Sequence, residues 1–246
     1  MLAAVVLLVF LVALVAAALY WLLILSEGVY LGERVVIWLY DLYAGRYDRI
    51  KEWDAEDERL YVATPFAAAV GARRHPPLIL DVGAGTGRLE RAVEAAGLLP
   101  EARWVLLDGS RRMLALAQTE LDLGERGRFL HHRACPLPFA DETFDVVACL
   151  EALEFTPRPE ATLAELVRVL RPGGLLVITN RVGPGVRWLP GRTWSRPALL
   201  QRLRELDQKH ISVRPTWEDY EWVSSLKAGA YQAPGRGNDL PRLQGL

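Results

Sequence analysis

The chain is poor in cysteine and in lysine, and its first 26 residues carry no charged side chain. Two cysteines, Cys135 and Cys149, exclude a disulfide framework, and no metal-site spacing surrounds them. Both stand in apolar stretches and read as buried free thiols of a reducing compartment. Three lysines against 26 arginines point to a GC-rich bacterial genome rather than to an activity. A net charge of −1 excludes a chain drawn as a whole onto nucleic acid. No Gly-Lys-Ser/Thr follows the glycine-rich turn at 83–87, which excludes a P-loop. There is no internal repeat and no low-complexity tract, so fibrous and disordered classes fall away.

What is present begins with Leu2 to Leu25, 24 consecutive residues with no charge. At about 1.5 Å per residue a helix of that length covers about 36 Å, enough for a hydrocarbon core of about 30 Å. A cleaved signal peptide would need a basic leading region and a small-residue cleavage site, and neither is there. Residues 1–26 are therefore expected to be a retained single-pass anchor. Arg34, Arg46, Arg49 and Lys51 on the trailing side put the following domain in the cytoplasm. Residues 27–61 have apolar positions at roughly helical spacing. They read either as an amphipathic helix on the bilayer or as a helix packed on the domain. Asp54 to Glu58 read as a solvated acidic face. The main domain is expected over 62–233, followed by a Gly/Pro/Arg-rich loose tail at 234–246.

From Pro76 onward short apolar runs alternate with helical segments. Strands are expected at 78–82, 103–107, 128–132, 144–150 and 175–179. Helices are expected at 88–96, 110–121 and 161–170, the last stopped by Pro172-Gly173-Gly174. This alternation predicts an α/β fold with a parallel sheet covered on both faces and a ligand site beyond the carboxyl ends of its strands. Trp217 to Ala228 reads as a further helix, and closing strands are expected around 211–213 and 230–232.

Leu80-Asp81-Val82-Gly83-Ala84-Gly85-Thr86-Gly87 is a strand running into a glycine turn. Glycine is needed where a chain turns sharply and lets a ligand approach its backbone. Arg88 stands where the dinucleotide fingerprint wants its third glycine, and Asp81 would repel a pyrophosphate but suits a cationic ligand. Asp108 ends the second strand, and a carboxylate there can accept hydrogen bonds from two ribose hydroxyls.

These motifs, with PLPFADETFDVV at 136–147 and LAELVRVLRPGGLLVIT at 163–179, resemble the class I S-adenosylmethionine-dependent methyltransferases, in the branch that serves small molecules and lipids. The resemblance runs from about Leu78 to Asn180. It implies a Rossmann-like, mostly parallel seven-stranded sheet and S-adenosylmethionine as cofactor. It places Asp81, Gly83, Ala84, Gly85, Thr86 and Gly87 on the methionine side of that cofactor. Asp108 and Gly109 fall at the ribose, Ser110 and Met113 beside the adenine, and Arg133, Ala134 and Cys135 along the adenine edge. Leu150 and Glu151 fall near the sulfonium, with Glu151 as the candidate catalytic residue. Glu154 joins it on one face if the local chain is helical. Two positions depart from the family: Arg133 replaces the usual acid at the adenine, and Phe155 a frequent histidine. One of His131 and His132 is expected to face the core and the other the ligand.

Residues 181–226 are expected to form a substrate lid. Arg181 to Arg204 holds six arginines, Trp188 and Trp194, and no acid, a composition suited to an anionic lipid surface. The whole reads as a membrane-anchored methyltransferase acting on a lipophilic acceptor, a quinone-type ring or a lipid head group. The same chemistry on a soluble metabolite or protein is the alternative, as is a catalytically silent scaffold. The acceptor atom and the oligomeric state are not legible.

Overall fold

The computed structural model describes residues 1–47, 54–71, 75–216 and 219–230. Helix α1 (Leu2–Tyr20) continues through a π-helical turn, Trp21–Leu25. Together they form one helix long and apolar enough to cross a membrane, and its apolar stretch is not buried against the rest of the chain. It ends where Ser26 Oγ bonds back to the Leu22 carbonyl at 3.1 Å and Gly28 turns left-handed. Helix α2 (Glu33–Tyr43) follows. Of the two readings of this region, α2 packs on the domain, with Val36 and Leu39 buried. Helix α3, residues 55–70, is capped by Asp54, whose Oδ1 accepts from the Glu56 amide at 2.8 Å. Glu56 and Asp57 are solvated as expected, but Glu58 turns inward to Arg88.

The sheet has seven strands: β1 (Leu78–Val82), β2 (Arg103–Asp108), β3 (Gly127–His131), β4 (Phe144–Cys149), β5 (Leu170–Arg181), β6 (Gln208–Pro215) and β7 (Tyr220–Lys227). Their order is β3-β2-β1-β4-β5-β7-β6. Strands β1 to β5 pair in parallel, and β7 runs antiparallel between β5 and β6. Alternate residues of the central strands feed two cores. Leu78, Leu80 and Val82 pack with α6 (Pro159–Val169) and α7 (Arg196–Glu205). Ile79 and Trp104 pack on the other face with α3, α4 (Arg88–Ala95) and α5 (Arg111–Glu120). This is the Rossmann-like sandwich expected.

Three expectations fail. Pro172-Gly173-Gly174 does not stop a helix but lies inside β5, which starts at Leu170. Leu170 pairs with Phe144, and a register shift before Val146 takes up the irregular Pro-Gly-Gly segment, Gly173 lying at φ 69°. Of the expected helix 217–228, residues 217–218 lie outside the described residues and Tyr220–Lys227 is strand β7. Its aromatic and β-branched alternation is buried on both faces between two strands, and that tertiary setting overrides helical spacing. The same strand, with β6, makes the later part of the expected lid 181–226 sheet rather than loop. Of the closing strands, 211–213 lies within β6, whereas 230–232 runs beyond the described residues, as does the tail 234–246.

Candidate active site

The site lies beyond the carboxyl ends of β1, β2 and β4, where the strand order reverses direction. At the end of β1 the chain turns through Gly83, whose amide donates to the Leu107 carbonyl at 2.8 Å, as does that of Ala84 at 3.1 Å. Gly83 has φ 77°, and a Cβ there would stand 2.4 Å from that of Ala152. A side chain is excluded both by conformation and by the loop after β4. Gly85 donates its amide to Asp108 Oδ2 at 2.9 Å. The other oxygen of Asp108 accepts from the Ser110 amide at 2.7 Å. Asp108 thus ties the glycine turn to the start of α5, and Ser110 caps α5 through the Met113 amide at 3.1 Å.

One concave pocket gathers Gly83, Gly85, Asp108, Gly109, Ser110, Met113, Arg133, Ala134, Leu150 and Glu151 from the expected set. A narrower recess beside it adds Asp81, Ala84 and Thr86. Two expected residues are not brought in. A Cβ on Gly87 would meet Leu121 at 2.5 Å, so that glycine serves helix packing. Cys135 lies in an adjoining groove with Arg34 and Arg158. Arg133 lines the rim with its side chain 59% exposed, and its guanidinium pairs with Glu33 at 3.1 Å. His131 is exposed and His132 half-buried, so neither faces the core.

Glu151 and Glu154 do not share a face. Glu151 adopts φ 51°, its amide donates to Thr179 Oγ1 at 2.6 Å, and its carboxylate pairs with Arg88. Arg88 also pairs with Glu58 of α3 at 2.9 Å. Glu154 instead sits in a one-turn 3₁₀ helix, Leu153–Phe155, buried and accepting from Tyr220 Oη at 2.7 Å. Burial pushes its carboxyl up to about 7. At the pocket floor burial, with the Asp108 charge nearby, holds Asp81 up at about 7. Glu90 beneath it is raised well above the carboxylate range, by burial first and by Asp81 second. Asp81 Oδ1 and both Glu90 oxygens have no hydrogen-bond partner among the described residues.

Sequence reasoning missed the roof. Glu33, Val36, Ile37 and Tyr40 of α2, with Tyr47, close the pocket opposite the glycine turn. Ile37 lies over Gly109, where a Cβ would meet it at 3.0 Å. Asp41 accepts from Ser110 Oγ, and Tyr40 Oη donates to Glu27 at 2.8 Å, so the residue that follows the apolar helix by two positions is wired to the pocket wall. Ile37 and Tyr40 lie off the apolar spacing that marks the helix, and nothing local distinguishes them. Four of the six arginines of 181–204 are engaged within the chain rather than free. Arg192 donates to the carbonyls of Val29, Thr156 and Pro157. Arg196 pairs with Glu221, Arg202 with Glu160 at 3.5 Å, and Arg181 lies 4.0 Å from Glu27 and from Glu154.

Comparison with known proteins bears on this geometry. Residues 80–178 match the methyltransferase domain family. The chain is 36% identical over 150 residues to a demethylmenaquinone methyltransferase of Clavibacter sepedonicus, covering 60% of this chain and 58% of that one. It is 36% identical over 116 residues to the ubiquinone/menaquinone biosynthesis C-methyltransferase UbiE of Stutzerimonas stutzeri, covering 46% and 45%. The chain thus spans about half the length of the curated relatives it matches. Among solved structures, a SAM-dependent methyltransferase from Aquifex aeolicus superimposes with TM-score 0.58 at 19% identity, over 76% of this chain and 97% of that one. The [4+2]-cyclase SpnF superimposes with TM-score 0.63 at 21% identity, over 81% and 97%. Both structures lie under 25% identity and bear on the fold alone, and the family match is to the methyltransferase domain, over residues 80–178.

Proposed function

We propose that the chain is a membrane-anchored methyltransferase that moves a methyl group from S-adenosylmethionine to a quinone-type ring held in the bilayer. The observation that carries this is the roof. The segment leaving the apolar helix forms one wall of the pocket, so an acceptor confined to the bilayer and the reacting groups share one structural unit. The relatives that act on menaquinone and ubiquinone precursors support the ring as acceptor. A lipid head group is the second candidate acceptor for the same pocket.

The residues fit the cofactor. Asp81 Oδ1, left without a hydrogen-bond partner at the floor, suits an ammonium group. Each Asp108 oxygen already accepts one amide and has a lone pair left for a ribose hydroxyl. Met113 and Ile37 offer apolar surface to a purine. When bound, the cofactor supplies an electrophilic methyl on a cationic sulfur. The chain's own part is positioning and electrostatics. The Glu58–Arg88–Glu151 set fixes the pocket end beside the glycine turn, and Glu151 acts there as an orienting carboxylate. The Arg133 charge, which favoured a silent scaffold, is answered by Glu33 at the rim.

The reading is tested by reconstituting the full chain in nanodiscs with methyl-labelled S-adenosylmethionine and a polyprenylated demethylquinol. Labelled quinol is expected. Label appearing only in protein or soluble metabolite overturns the acceptor assignment, and label in phospholipid selects the head group.

The floor predicts a pH dependence. Asp81 titrates near 7 in the free protein, and only its ionised form attracts an ammonium group. Binding then expels a proton below pH 7. Affinity for S-adenosylhomocysteine should rise by up to about tenfold per pH unit from 6 to 7 and flatten above. Asp81→Asn should abolish the slope. The sign for folding is opposite. The unfolded carboxyl ionises near 3.8, so the Asp81 contribution to stability is complete below that pH and is lost as pH climbs toward 7. Calorimetric titration and melting across pH 5–8 check both.

A further inference from the structure

Beyond Leu25, the large apolar side chains left exposed among the described residues are Leu31, Trp38, Leu42, Tyr43, Leu60 and Tyr61. All lie in residues 31–61, and from Val62 onward none is left exposed among the described residues. Folded domains leave apolar surface uncovered in one segment when something else covers it. On α2, Trp38 and Leu42 stand one turn apart, 57% and 56% exposed. They face away from Val36 and Tyr40, which serve the pocket. Helix α2 is thus apolar on two sides, and the domain covers only one.

Basic groups frame the uncovered side. Arg34, Arg46, Arg111, Arg112 and Arg133 are all exposed. Arg34 and Arg133 share a groove with Trp38, His131 and His132. Arg112 donates to the Asp41 carbonyl at 3.0 Å, which fixes α5 beside this face. The acids of α2 offset only part of this field: Glu33 pairs with Arg133 and Asp41 keeps its charge in the groove, which leaves Arg34, Arg46, Arg111 and Arg112 in excess. Tryptophan, tyrosine and leucine bordered by arginine match the level where acyl chains meet anionic head groups.

The position selects the occupant. Trp21, in the last turn of the apolar helix, stacks on Tyr30 at 5.1 Å, and α2 starts at Glu33. We propose that the outer face of α2 is a membrane-contact surface, seated on the anionic leaflet at the carboxyl end of the apolar helix. The domain then rests on the bilayer through the roof of its own pocket rather than through residues 181–204. This inference rests on the anchor reading above.

The test uses the full chain in nanodiscs of phosphatidylcholine and phosphatidylglycerol, with lipids brominated high on the acyl chain as quenchers. Trp38 emission is taken as the difference between wild type and Trp38→Phe. Quenching of that difference signal is expected, at least twofold, deepening as the phosphatidylglycerol fraction rises. An unquenched Trp38 in a chain that stays with the discs overturns the proposal alone. A chain that leaves the discs overturns the anchor reading, and this one with it. If Trp38 is unquenched but its emission moves to the red when discs carry one chain instead of two, a second copy covers the face, and the proposal again fails.

Discussion

Methyl transfer to a bilayer-held acceptor is expected to fall by about 100-fold or more when protein and acceptor are placed in separate vesicles instead of the same one, within the 10²–10⁴ range that tethering confers. The roof residues of α2 follow the apolar helix closely and are joined to it through Tyr40 and Glu27. On the anchor reading the pocket is held at a fixed short reach from one bilayer, and a ring that stays in another does not enter it. A short-chain, water-soluble analogue should react equally in both arrangements. That control separates confinement from any loss of intrinsic activity. Equal rates for the long-chain acceptor in the two arrangements would show that the helix serves location alone.

Asp108→Asn should cost roughly 10²–10⁴ in affinity for S-adenosylhomocysteine, since two charge-assisted bonds to the ribose at about 1.5–3 kcal/mol each are lost or inverted. The carboxylate accepts from Gly85 on one oxygen and from Ser110 on the other. An amide keeps one acceptor and turns a donor toward a donor. The damage therefore reaches the glycine turn as well as the ligand. Melting of the variant separates the two effects: a modest fall in Tm with the full loss of binding assigns the role to ligand recognition. Binding within threefold of wild type would remove Asp108 from the site.

Apart from the Pro172-Gly173-Gly174 segment, the strands and turns of 78–181 were legible because they use local rules. Leu78–Val82 is a continuous apolar run, Ser110 is a cap, and glycine stands where φ must be positive. The floor of the pocket follows from those rules. The roof does not, because Ile37 and Tyr40 take their place from what they meet far along the chain: Gly109 for Ile37 and Phe155 for Tyr40. Glu154 was read with Glu151 by spacing, but the left-handed backbone at Glu151 sends the two carboxylates apart. Strand β7 was misread because Trp222 and Val223 are both buried, on opposite faces, which erases the alternation of a half-exposed strand. Arg196 and Arg202 looked free because their acids, Glu221 and Glu160, lie outside the segment.

The contacts that close the roof have a bearing on how the protein is made. Tyr30 Oη donates to the Pro190 carbonyl at 2.8 Å across 160 residues of chain, and Arg192 reaches Val29 across 163. Val29, Val36, Phe155 and Leu189 form one small cluster at that junction. Since chains fold from the amino terminus during synthesis, α1 and α2 leave the ribosome before any strand of the sheet exists. The apolar inner face of α2 has nothing to cover until residues 78–192 have emerged. On the anchor reading a lipid surface can shelter that face in the interval, and the pocket becomes complete only at a late step of translation.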